Sequence, residues 1–322
     1  MNCKKIIEYI KQHVLSLSLY GPFYQINILG RKIRVINPKF KVSYFQSRTN
    51  AGDLFNKDLI NYFNIDCIYI KDPKFANLVC LGSVLDNLCS EGKNFPKRLK
   101  SKCYVWGAGF TFSDENRVFI RDLEFLAIRG HLSKNLAERM LNKSLNIKVY
   151  ADPGLLISEI FPIEIQKKRF NLGIIAHYVD QQYLEDEKEH LEKLNVTVIR
   201  IDQSPYEVSK QICECKCVLS SSLHGLIFAD SYNVPNHQLI FLNKKNNYTS
   251  NVLGNNFKFK DYYSSFDLEY KEPFVFEKIQ FDDNNIQKIM YQIISEYSIN
   301  PSEVKHKQRE LVNSMIFARR KK

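Results

Sequence analysis

The sequence predicts an α/β protein of two Rossmann-like, doubly wound halves that face each other across a cleft. Three observations predict it. Short apolar strands alternate with polar turns and amphipathic helices along both halves of the chain, the pattern of parallel sheets. The 322 residues exceed the roughly 250–300 at which one core stops growing. Arg129, His177 and His224 all fall at the ends of expected strands, where open parallel sheets collect their functional groups. Residues 1–165 are expected to form the first domain and 166–322 the second, joined by a polar linker near Phe161 to Arg169. The C-terminal helices are expected to pack back on the first domain.

Composition sets the outer limits. Hydrophobic residues make up 44% of the chain, enough for globular cores, and no apolar run approaches the roughly 20 residues of a membrane span. The N-terminus has the spacing of an amphipathic helix, with Ile6, Ile7, Ile10 and Val14 on one side. Glu8 and Lys11 interrupt any signal-peptide core, so a cytoplasmic protein is expected. The eight cysteines are scattered. Cys213, Cys215 and Cys217 alternate in a way unlike zinc-binding pairs and read as buried thiols. The formal net charge of +11 calls for an acidic partner. No nucleic-acid motif is present, so anionic phospholipid or a phosphorylated small molecule is the expectation. The amphipathic N-terminus and the basic end Arg319-Arg320-Lys321-Lys322 together predict peripheral contact with an anionic membrane.

The elements follow in order. Ile26–Leu29 and Lys32–Ile36 read as an extended pair. Ser47 to Phe55 is a polar turn entering a helix with Leu59, Ile60 and Phe63 on its apolar side; Asn50 or Asp53 can cap it, and the turn can present Asp53 as a base and backbone N–H groups to a ligand. Ala76–Leu81 reads as a strand and Val84–Leu88 as a helix. Tyr104-Val105-Trp106 is a strand that breaks at Gly107 and Gly109, which would let the backbone approach a substrate. Leu126-Ala127-Ile128 leads to Arg129, whose planar guanidinium suits a carboxylate or phosphate, and Asp152 is placed to hold it or a neighbouring backbone.

The second half opens with the strand Leu172–Ala176 and His177 at its carboxyl end. A charged helix over Tyr183–Leu194, the strand Val196–Ile201 and a helix opened by Pro205 follow. The centre of this half is Val218-Leu219-Ser220-Ser221-Ser222-Leu223-His224-Gly225, a strand, a serine turn and an apolar helix. Serine caps helices, and a helix start offers unpaired N–H groups and partial positive charge to an anion. A capped helix with one satisfied histidine is the plain alternative. Lys258–Tyr263 mixes basic and aromatic residues suited to a sugar or a surface, and amphipathic helices over Asn284–Tyr297 and Pro301–Phe317 close the chain.

Taken together these motifs resemble the polysaccharide pyruvyl transferase family, in particular the ketal-forming enzymes of bacterial exopolysaccharide pathways. The matching pieces are Asn50-Ala51-Gly52-Asp53, Val105-Trp106-Gly107-Ala108-Gly109, Ala127-Ile128-Arg129-Gly130, Asp152-Pro153-Gly154, Ala176-His177-Tyr178 and Ser220-Ser221-Ser222-Leu223-His224-Gly225. The resemblance implies a GT-B-like pair of domains, the first on the acceptor side and the second on the donor side. It implies phosphoenolpyruvate as donor, a pyruvyl ketal across two hydroxyls of a saccharide, and release of phosphate in capsule, exopolysaccharide or other cell-surface glycan synthesis. The acceptor could be lipid-linked, and neither a cofactor nor a metal is called for. In other branches an arginine stands two residues before the histidine equivalent to His224; here that position is Ser222, which leaves the cation to Arg48 or a lysine.

On this resemblance, His224 is assigned as general acid, with His177 or Asp53 as base, roles that could be exchanged. The helix start at Ser221, Ser222, Leu223 and His224 takes the phosphate and Arg129 the carboxylate, while Asn50, Gly52, Gly107 and Gly109 shape the substrate pocket. Two rivals stand beside it: a GT-B glycosyltransferase using a nucleotide sugar, and a non-catalytic basic module for glycan or lipid.

Overall fold

A computed structural model describes residues 23–28, 31–36, 40–45, 49–91, 99–164, 167–242 and 256–318. The expected N-terminal helix, Arg48 and the basic end fall outside these residues. The first element is a hairpin of β1 (Phe23–Ile28) and β2 (Arg31–Ile36), the extended pair the sequence predicts.

Two five-stranded parallel sheets carry the fold. The first contains β3 (Phe40–Ser43), β4 (Cys67–Tyr69), β5 (Leu78–Val79), β7 (Leu99–Trp106) and β9 (Arg121–Ala127), in the order β4-β3-β5-β7-β9. The second contains β10 (Phe170–Ala176), β11 (Val196–Arg200), β12 (Cys215–Ser220), β13 (Asn236–Ile240) and β14 (Phe274–Val275), in the order β11-β10-β12-β13-β14. A short antiparallel pair, β6 (Cys89–Glu91) with β8 (Arg117–Phe119), flanks the first sheet. Counted within its own sheet, each order is 2-1-3-4-5. Each sheet therefore has a switch point beside its first strand, where consecutive crossovers leave on opposite faces and open a crevice at the carboxyl ends.

Helix α1 (Ala51–Tyr62) follows β3 and is capped by Asn50, whose Oδ1 accepts the Gly52 N–H at 2.9 Å. Its apolar side, with Phe55, Leu59 and Ile60, enters a core cluster that also holds Ile175, Ile199 and Phe228 of the second half. The Ala51 N–H donates to the Ile201 carbonyl at 2.7 Å, so the start of α1 is tied by backbone to the end of the β11 strand region. The second half adds α3 (Pro205–Cys213) and α4 (Leu223–Ser231); every residue of α4 is buried, as its apolar run demands. Helix α2 (His131–Leu141) follows β9 and packs against α5 (Phe257–Ser264).

Several boundaries differ from expectation. The strand expected over Ala76–Leu81 is reduced to Leu78–Val79, and the helix after it is a 3-10 turn over Leu85–Leu88. The charged helix expected over Tyr183–Leu194 is broken into Gln182–Glu185 and Lys188–Lys193. Glu185 and Glu189 would repel one another four residues apart in a continuous helix.

Helices α6 (Asp283–Glu296) and α7 (Pro301–Ser314) end the chain. Helix α7 lies on the first sheet: the Trp106 indole N–H donates to the Leu311 carbonyl at 3.3 Å and the Ser314 hydroxyl at 2.9 Å. The Phe317 ring packs 4.7 Å from those of Phe40 and Tyr104. Cys213, Cys215 and Cys217 are buried, and burial pushes the Cys217 thiol up to about 12. Among the described residues no helix is long and apolar enough to cross a membrane, and no cluster of three or more His, Cys, Asp or Glu side chains could hold a metal ion.

Candidate functional site

Both switch points open into one cavity of about 340 Å³. Its walls come from the segments after β3, β5 and β7 in the first sheet and after β10 and β12 in the second, with Lys258 of α5 added. The topology alone explains the convergence, since each of those segments leaves a central strand at its carboxyl end.

The serine turn divides its labour. Ser220 accepts the Ser222 N–H at 3.1 Å and donates to the Ser222 carbonyl at 2.8 Å, closing the turn on itself. Ser221 accepts the His177 N–H at 2.9 Å and donates to Asp180 at 2.8 Å, which ties the turn to the segment after β10. Only Ser222 lines the cavity, at the N-cap of α4, where its side chain makes no capping bond. Among the described residues nothing accepts from the Leu223 and His224 N–H groups. This helix start therefore presents amide donors, a hydroxyl and partial positive charge to the cavity.

His224 is buried beside it, and its Nε2 has no hydrogen-bond partner among the described residues. Burial, and then the cations Lys258 and Arg129, hold the imidazole neutral, lowering its pKa to about 3. Room for the ring comes from Gly52, where any Cβ would lie 1.8 Å from His224 Nδ1. Asp53, one residue on, lines the opposite wall. Burial raises its carboxyl to about 7 against the opposing pull of Lys258. Lys258 is itself lowered to about 8 by burial and by Arg129, opposed by Asp180 and Asp53. His177 lines the same cavity, its ring 4.1 Å from that of Tyr178.

Arg129 stands behind the wall. It is fully buried: Nε bonds Asp261 at 2.8 Å, Nη1 donates to the Ser83 hydroxyl at 2.8 Å, and Nη2 to the Phe110 carbonyl. The Asp261 carboxylate also accepts the Ser133 N–H at 2.7 Å and the Ser133 hydroxyl at 2.6 Å. This buried pair locks α5, and with it Lys258, onto the first half. The expected grip of Arg129 on a substrate carboxylate is thus replaced by a structural pair, because burial demands a charged partner and Asp261 supplies it. Of the two partners expected for Asp152, Arg129 or a neighbouring backbone, the structure shows the backbone: its Oδ1 accepts the Gly154 N–H at 2.9 Å and caps a 3-10 turn.

Of the residues singled out in the sequence, Asn50, Asp53, His177, Ser222, Leu223 and His224 line one cavity. Ser221, Gly52, Gly107 and Gly109 are buried outside its lining. The glycines accommodate protein rather than substrate. A Cβ at Gly109 would lie 2.4 Å from the Arg129 guanidinium carbon, and Gly107, at φ +79, would place one 2.2 Å from Pro153. Lys258 and Ser83 are among the lining residues that sequence reasoning missed, with Phe45, Asp86, Asn87 and Thr111. Lys258 belonged to a stretch noted only as basic and aromatic; its position three residues before Asp261, on one helical face, was the available signal.

The family model described as polysaccharide pyruvyl transferase matches residues 17–237. An uncharacterized protein of Acanthamoeba polyphaga mimivirus, L143, is 25% identical over 290 residues, covering 87% of this chain and 92% of that protein. The solved structure of E. coli ADP-heptose LPS heptosyltransferase II aligns with 81% of this chain and 100% of its own, at 9% identity and a TM-score of 0.28, a superposition too loose to build on.

Proposed function

The chain belongs to the polysaccharide pyruvyl transferase family, and on that premise we propose that it transfers pyruvate from phosphoenolpyruvate to two hydroxyls of a saccharide, forming a ketal and releasing phosphate during cell-surface glycan synthesis. The observation that carries this reading is the meeting of an anion-binding helix start, a cation and proton-transferring groups in one cavity. A donor with a phosphate and a carboxylate needs the first two, and ketal formation needs the third.

The phosphate sits on the N–H groups of Leu223 and His224 and the Ser222 hydroxyl, with Lys258 as the cation where other branches of the family use arginine. The donor then lies against the second half, and the saccharide enters from the first. Protonation of C3 makes C2 electrophilic, and the first sugar hydroxyl attacks C2 as its proton leaves. Phosphate departs with the C–O bond electrons and takes up the proton of the second hydroxyl, whose oxygen closes the ring at C2.

Asp53, with its carboxyl raised to about 7, is the group best able to give the C3 proton near neutrality. His224 begins neutral. A bound dianion beside it opposes the cations and raises its proton affinity, as acceptance of a hydroxyl proton requires. This exchanges the roles first assigned to the two residues.

The test is incubation with phosphoenolpyruvate and a panel of saccharides, reading phosphate release and acid-labile pyruvate on the glycan. In heavy water the ketal methyl should gain one deuterium. Transfer of sugar from a nucleotide donor, with phosphoenolpyruvate inert across the panel, would replace this reading with a glycosyltransferase.

A further inference from the structure

A second open cavity, also of about 340 Å³, adjoins the first and shares Phe45, Val84 and Asn87 with it. It runs along the carboxyl edge of the first sheet, away from the helix start of α4. Tyr44 and Phe45 directly follow β3, and Lys71 to Pro73 follow β4, so consecutive strands of one sheet build its wall. We propose that this cavity is an acceptor subsite for a second sugar ring, so that the preferred acceptor is a disaccharide or longer glycan with its terminal diol beside Asp53. This rests on the pyruvyl transfer proposed above.

Several features favour a sugar there. The shared border gives a continuous path from the reacting cavity, whose donor side is already occupied by the cationic helix start. Phe45 offers an aromatic face at that border, and a pyranose presents a matching apolar face of C–H groups. Asn87 is an exposed side chain that can meet the rim of hydroxyls as donor and acceptor. Tyr44 is pinned from behind by an edge contact with Tyr69 at 5.6 Å, which fixes the wall before any ligand arrives. The charge pattern also separates the two cavities. His224, Asp53 and Lys258 all belong to the first, while the second is lined by Lys71 and by an Asp72 carboxylate that is paired with Lys74 at 2.9 Å.

Lys71 lines only the second cavity and is exposed, so Lys71→Trp fills it without touching the reacting groups. The probes are matched p-nitrophenyl glycosides: glucoside and cellobioside, galactoside and lactoside, mannoside and mannobioside. With phosphoenolpyruvate, the wild type should use the disaccharide of the productive pair with kcat/KM about tenfold or more above its monosaccharide. Lys71→Trp should erase that difference and leave the monosaccharide rate within about twofold. Saturation-transfer NMR supplies an arm independent of turnover: both rings of the disaccharide should contact the wild type, and only the terminal ring should contact Lys71→Trp. Equal use of mono- and disaccharide by the wild type, or equal loss of both in the variant, overturns the subsite. If phosphoenolpyruvate proves inert, pyruvyl transfer fails, while the NMR contacts still decide whether two rings are held.

Discussion

A methyl group at Gly52 would lie 1.8 Å from Nδ1 of His224, so the first turn of α1 and the first turn of α4 fit together only through a missing side chain. The two residues belong to different halves of the molecule, and the contact fixes where the imidazole stands in the cavity. Gly52→Ala is therefore expected to displace the His224 ring and lower kcat by about a hundredfold, the usual scale for a misplaced acid–base group. Circular dichroism and histidine NMR check it: a native spectrum with a shifted His224 resonance is the expected pair. An alanine variant with normal turnover would show that the ring position is not critical.

Lys258→Gln removes the cation and keeps a hydrogen-bond donor. Its KM for phosphoenolpyruvate should rise about tenfold or more, with a smaller change in the acceptor KM. An unchanged donor KM would move the cation elsewhere, with Arg48 the next residue to substitute.

Arg129 should behave as a structural group. Arg129→Met leaves Asp261 buried without its charged partner, a loss on the order of 3–5 kcal/mol that thermal unfolding will register. In Arg129→Lys the ammonium cannot reach Asp261, Ser83 and Phe110 together, so a lower melting temperature should accompany any loss of donor binding. Native stability with lost donor binding would restore Arg129 as a direct ligand.

The pH profile tests the direction of proton transfer. If Asp53 gives the C3 proton it must be protonated, so kcat/KM should fall as pH rises through about 7. Lys258 must also be protonated to hold the donor, and its loss above about 8 should steepen the fall. His224 in the free enzyme is neutral at all these values and contributes no limb. A rate that instead rises through about 7 would make Asp53 the base.

The chain has a single tryptophan, Trp106, whose indole is bonded to α7. Ending the chain at residue 300 should expose it. A red-shifted emission and a lower unfolding midpoint are expected, and an unshifted spectrum would show that α7 does not shield the first sheet.

The sequence by itself determined the local grammar of this protein. Apolar runs ending in polar turns set the strand–turn–helix units, and Asn50 and Ser222 marked helix starts that the structure keeps. These are properties of neighbouring residues, and nothing distant can easily override them. His177 and His224 were legible for a related reason: each stands at the end of an expected strand, and parallel sheets bring such positions to one edge. Asp53 was marked only by the polar turn that enters α1.

Only the tertiary structure decided which side chains face the cavity. Arg129 and Asp261 are 132 residues apart, and their pairing turned an expected ligand into a buried strut. The same contact carried Lys258 into the site from beyond the stretch that matches the family. Glycines that read as room for substrate became room for His224, Arg129 and Pro153. A side chain's role at such positions depends on what packs against it, and burial energies and charge pairing across the fold settle that choice after the local pattern has been fixed.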